Sequence, residues 1–103
     1  MQSLQQAIEL QANHGEAHFQ LGNAYFIDGK LELARKSYER SLELLPDVAD
    51  AHMNLGSVLL QLDELESAVE SYRTALRLQP HNGQGHYNLG LALFEQNKLQ
   101  EAR

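Results

Sequence analysis

GEAHFQLGNAYFIDGKLELARKSYERSLELLPDV, residues 15–48, decides how the rest of the chain reads, because it recurs. Shifted by 34 residues it lies over ADAHMNLGSVLLQLDELESAVESYRTALRLQPHN, residues 49–82. Shifted again it meets GQGHYNLGLALFEQNKLQEAR, residues 83–103. Self-similarity at a fixed period of this size marks a repeat architecture, in which one unit buries its apolar face only against its neighbours.

The matched positions are His18, Leu21, Gly22, Tyr25, Ala34, Tyr38 and Pro46, then His52, Leu55, Gly56, Leu59, Ala68, Tyr72 and Pro80. A third set begins with His86, Leu89, Gly90, Leu93 and Ala102. This pattern resembles the tetratricopeptide repeat, with its aromatic, Leu-Gly, Tyr, Ala, aromatic and Pro at these offsets. The resemblance covers all 103 residues. Departures are His for the opening aromatic, Leu59 and Leu93 for Tyr, and Ser41 for Ala. It implies an all-α, right-handed solenoid of antiparallel helix pairs with a 34-residue period. The chain then divides into the second helix of a truncated repeat (1–14), two repeats (15–48 and 49–82) and a truncated repeat (83–103).

Length allows a single domain. Hydrophobic residues at 43% and charged ones at 21% suit a folded chain rather than a disordered one. A net charge of −6, with no Lys/Arg run, argues against nucleic acid or an anionic membrane as partner. The absence of Cys removes disulfides, thiolate metal sites and Cys nucleophiles together. No apolar run approaches a membrane span and no signal peptide follows Met1, so membrane insertion is not expected and a cytoplasmic location is.

Locally, Leu4, Ala7, Ile8 and Gln11 have helical spacing, and residues 4–10 align with Tyr72–Leu78, a second helix without its first. Ala12 stands where Pro46 and Pro80 end the later second helices, and the next helix is expected from Asn13. Asn13 with Glu16, and Asp47 with Asp50, read as capping boxes. Asn82 lacks that partner because Gly85 occupies the third position, so a loose start is expected there. Turns are expected at Asp28-Gly29-Lys30, Asp63-Glu64 and Asn97-Lys98. Gly22, Gly56 and Gly90 predict close helix contacts, with Ala34, Ala68 and Ala75 opposite and Tyr38 and Tyr72 filling the wider gap beyond.

For chemistry, His18, His52 and His86 recur once per repeat, but helices about 10 Å apart do not bring their rings to one metal. They are expected to be packing or edge residues. Nothing reads as a nucleophile elbow, phosphate loop or zinc-protease helix, so neither an enzyme nor a cofactor is expected.

A binding surface remains. By resemblance, the first helices line a concave groove that takes a protein segment or peptide. Here that groove would comprise Phe19, Gln20, Asn23, Ile27, Met53, Asn54, Ser57, Gln61, Tyr87, Asn88 and Leu91. Repeats that clamp a C-terminal carboxylate carry three cations at matching sites, and none is present here. Gln20, Asn54 and Asn88 are more similar to the asparagine ladder in the repeats of O-linked N-acetylglucosamine transferases, which binds peptide backbone because an amide both donates and accepts. The alternative is a structural scaffold, a homo-oligomer stacked head to tail through its incomplete ends. Leu4, Ile8, Leu89, Leu93 and Leu99 would carry that contact.

Overall fold

The computed structural model describes residues 4–102, with side chains for residues 14–101. The described residues form helices and no strand: α1 Leu4–Ile27, α2 Leu31–Leu44, α3 Ala49–Gln61, α4 Leu65–Leu78 and α5 Gly83–Ala102. Each helix packs on the next; α1 also touches α3 and α3 touches α5, whereas α2 and α4 do not meet among the described residues. A stack whose odd helices touch while its even helices splay apart curves toward the odd ones. The first-helix face is therefore the inner side of this solenoid.

Two turns follow one plan. Gly29 N–H donates to Phe26 O at 3.1 Å and Lys30 N–H to Tyr25 O at 2.9 Å. Asp63 and Glu64 repeat those bonds to Leu60 O and Leu59 O at 3.1 and 2.9 Å. This pairing closes a helix on a left-handed residue. Gly29 has φ 77° and Asp63 φ 65°, a region that Asp tolerates better than most side chains do.

Tyr38 and Tyr72 are the largest fully buried side chains. Each lies flat against a glycine of its own repeat. A Cβ placed on Gly22 would sit 2.7 Å from the Tyr38 ring, and one on Gly56 would sit 2.8 Å from the Tyr72 ring. The glycines thus make room for the tyrosines themselves, not for the alanines expected opposite them. Ala34, Ala68 and Ala75 are nonetheless fully buried in the same core.

Three local expectations are overturned. α1 runs unbroken through Ala12 and Asn13, so there is neither a turn nor a cap there. Ala is the best helix former, whereas Pro at the equivalent place stops α2 and α4. α5 likewise continues through Asn97 and Lys98. Asn and Lys are both compatible with a helix interior, so that pair alone does not interrupt i→i−4 bonding. Capping is reversed as well. α3 starts after Val48 with no side-chain cap, one residue later than Asp47 requires. Asn82 does cap α5, its Oδ1 accepting from Gly85 N–H at 3.0 Å. Gly85 itself is buried, since a Cβ there would lie 2.7 Å from Met53 Cε.

The histidines stand at the repeat edge, with a specific bond. His52 Nε2 lies 2.8 Å from Pro46 O and His86 Nε2 lies 2.8 Å from Pro80 O. With the N–H tautomer on Nε2, the ring latches the carbonyl six residues back that the turn leaves open. His18 has Ala12 at that offset, inside the helix.

Candidate functional site

Polar side chains on the inner helices are organised by the buried tyrosines. Tyr38 donates its hydroxyl proton to Asn23 Oδ1 at 2.5 Å, and Asn54 Nδ2 donates to the same oxygen at 3.0 Å. In the next repeat Ser57 occupies the place of Asn23, and its Oγ lies 2.9 Å from the Tyr72 hydroxyl. Each tyrosine therefore needs a polar residue at one position of its first helix, 15 residues earlier. That pairing is readable in the repeat alignment, but only once the tyrosines are known to lie on the glycines. Burial pushes Tyr38 up to about 12, against a smaller downward pull from the Asn54 amide. Tyr72 is raised by burial in the same way, opposed by its bond to Ser57. Both stay protonated at neutral pH.

With Asn23 Oδ1 accepting twice, its Nδ2 and the Asn54 Oδ1 make no hydrogen bond among the described residues. Asn88 sits one repeat further on, accepting from Gln84 at 3.0 Å and approaching Met53 Sδ at 3.7 Å. Gln20, at the other end of that row, donates to Glu16 at 3.0 Å. Gln20, Asn54 and Asn88 stand one period apart, a row of amides across α1, α3 and α5.

The remaining groove candidates separate by burial. Ile27, Gln61, Tyr87 and Leu91 are exposed. Met53 is buried in the core, and Phe19 is half-buried with its ring centroid 6.0 Å from that of Tyr38. These two hold helices together more than they offer surface. Their positions cannot be told from groove positions by spacing alone, because both lie on the flank of the inner face. Among the self-association candidates, Leu89 packs partly on the core, while Leu93 and Leu99 are exposed. The side chains of Leu4 and Ile8 lie outside the described residues.

A cleft of about 630 Å³ lies on the opposite side between α2 and α4. It is open, and Glu39, Glu64, Glu66 and Glu70 surround Arg35 there. Arg35 is engaged by Glu32 at 2.6 Å and Glu64 at 3.4 Å, a surface tie between repeats. No group of three or more His, Cys, Asp or Glu among the described residues could hold a metal, and no described helix is long and apolar enough to cross a membrane.

A family model described as TPR repeat matches residues 22–63 and 56–97, and one described as Tetratricopeptide repeat matches residues 3–36. No curated protein matches the chain. Among solved structures, the crystal structure of MamA superposes with a TM-score of 0.78 at 28% identity, over 87% of this chain. The match takes in 52% of the MamA chain, so this sequence spans about half of that protein's length. On the family match, the helix pairs and the 34-residue period, the chain belongs to the tetratricopeptide repeat family.

Proposed function

We propose that this protein–protein interaction module binds an extended peptide segment of a partner along its inner face. Gln20, Asn23, Asn54, Gln61 and Asn88 would meet the peptide backbone, and Ile27 and Leu91 its apolar side chains. The observation that carries the reading is the doubly occupied Asn23 oxygen. Tyr38 holds that amide in place from the core, which leaves a donor on Asn23 and an acceptor on Asn54 directed away from it. A pre-oriented donor and acceptor match the alternating N–H and C=O of an extended chain, and little rotamer entropy remains to be lost on binding. Apolar neighbours supply affinity that amides alone do not. The reading assigns no catalytic residue.

The test is selection of binders from a displayed random-peptide library, followed by titration of the recovered peptides. Asn54→Ala combined with Asn88→Ala should weaken them by about tenfold or more, since a hydrogen bond contributes about 1 kcal/mol net and each variant also leaves a peptide group unpaired. Helicity and molar mass should stay unchanged. Recovered peptides that bind the double variant as well as the parent would sink the proposal.

A further inference from the structure

We propose that the inner face takes a basic peptide, with Lys or Arg side chains about three residues apart seated at Glu16 and Asp50. The proposal rests on the groove reading above and adds to it the charge of the partner.

The charges of this chain are sorted by helix. Residues 14–27, 49–61 and 83–97, which belong to α1, α3 and α5, contain no Lys or Arg. Their charged residues are Glu16, Asp50 and Glu95. Lys30, Arg35, Lys36, Arg40, Arg73 and Arg77 all lie on α2 or α4 or in the turn before α2. Acids beside them are paired, since Glu32, Glu43 and Glu70 lie 2.6, 2.7 and 3.9 Å from an arginine. Glu95 has Lys98 at 3.9 Å. Glu16 and Asp50 are exposed and have no ion-pair partner among the described residues. Helix formation alone does not require this sorting. A first-turn acid suits the helix dipole, which accounts for Asp50 on α3 but not for Glu16, in the middle of α1. Nor does it keep Lys or Arg from exposed Gln20, Gln61 and Gln84, where either would suit a helix as well as Gln does.

Glu16 and Asp50 stand one period apart, each one helical turn before a member of the amide row. Gln20 Nε2 donates to Glu16 at 3.0 Å, and Gln84 with Asn88 forms the neutral version of that pair at 3.0 Å. Residues four apart share a helix face, so the two acids flank the amides on the inner side. Neighbouring first helices stand about 10 Å apart, a step that an extended chain spans in about three residues. A cation at each end of that step reaches one carboxylate, while the backbone between them meets Gln20 and Asn54. A concave face carrying one sign of charge beside apolar walls also focuses its field on the ligand.

The probes are the peptides recovered from the random library, titrated into the parent and three double variants. Asn54→Ala with Asn88→Ala removes amides, and Glu16→Gln with Asp50→Asn removes charge from the inner face. Glu39→Gln with Glu66→Gln removes the same charge from the outer cleft. Recovered peptides should be enriched in Lys and Arg at a spacing of about three residues. The inner charge variant should weaken them about fivefold, as the loss of two exposed ion pairs does. The outer charge variant should bind them as the parent does. Added salt should weaken the parent and leave the inner charge variant little changed. Replacing both peptide cations by Gln should erase the difference between those two proteins, and circular dichroism should be alike in all four. Peptides with no excess of Lys or Arg, or weakened equally by the inner and outer charge variants, overturn the proposal. If the amide variant still weakens such peptides, the groove reading stands without it. Peptides weakened by the inner charge variant but not by the amide variant support the cationic partner and sink the amide contacts of the groove reading.

Discussion

Leu59 and Leu93 hold one repeat position on α3 and α5, yet the first is 5% exposed and the second 39%. Leu65 and Leu99 differ in the same way, at 6% and 46%. Residue type and register are shared, so neither propensity nor hydropathy separates them. What differs is the second helix. In the middle repeat α4 folds back on α3, and Tyr72 closes over Gly56. In the last, α5 runs straight on and Gly90 faces open space. A repeat sequence states what can be buried; a neighbour decides whether it is.

The sharpest way to break that comparison is to truncate the two leucines. Leu59→Ala should cost about 2–5 kcal/mol, as a large core side chain does when it leaves a cavity. Leu93→Ala should cost under about 1 kcal/mol, since much of its surface is already in water. Urea unfolding of both variants measures the gap, and equal losses would mean that Leu93 is covered in solution. The glycines come next, with opposite signs expected. Gly56→Ala should destabilise by about 1–3 kcal/mol as its methyl meets the Tyr72 ring. Gly90→Ala should stabilise α5 by about 1 kcal/mol, the helix propensity difference with nothing in the way. Thermal melts followed by circular dichroism distinguish them. The smallest effect is expected at the helix starts. Asn82→Ala should cost about 1 kcal/mol through the lost cap, and Asp47→Ala under about 0.5 kcal/mol because Asp47 caps nothing. Amide exchange at Gly85 reports the first loss directly.

The period, the helix pairs and the turns at Asp28-Gly29-Lys30 and Asp63-Glu64 were legible in the sequence. Each rests on signals that agree: apolar spacing, a left-handed residue, and an apolar helix following the turn. Legibility failed where a turn signal stood without that support. Asn97-Lys98 has the right chemistry, but Asn and Lys also fit a helix interior and α5 continues through them. Ala12 carries no signal against continuing. The cap error at Asp47 is one residue in a register that Val48 and Asn82 share. The row of amides at Gln20, Asn54 and Asn88 came from the resemblance to the repeat family, whereas the Tyr38–Asn23–Asn54 bonding did not, because it depends on how closely the ring lies on Gly22. Phe19 and Met53 show the same blind spot. At the flank of a helix, spacing does not distinguish a groove wall from a core contact.

The unbroken run of α1 through Ala12 bears on how such arrays change over generations. Alanine and proline codons differ at a single base. A joint between repeats, with its reversal of chain direction and its histidine latch, can therefore be gained or lost in one mutational step, without insertion or deletion and without disturbing the period.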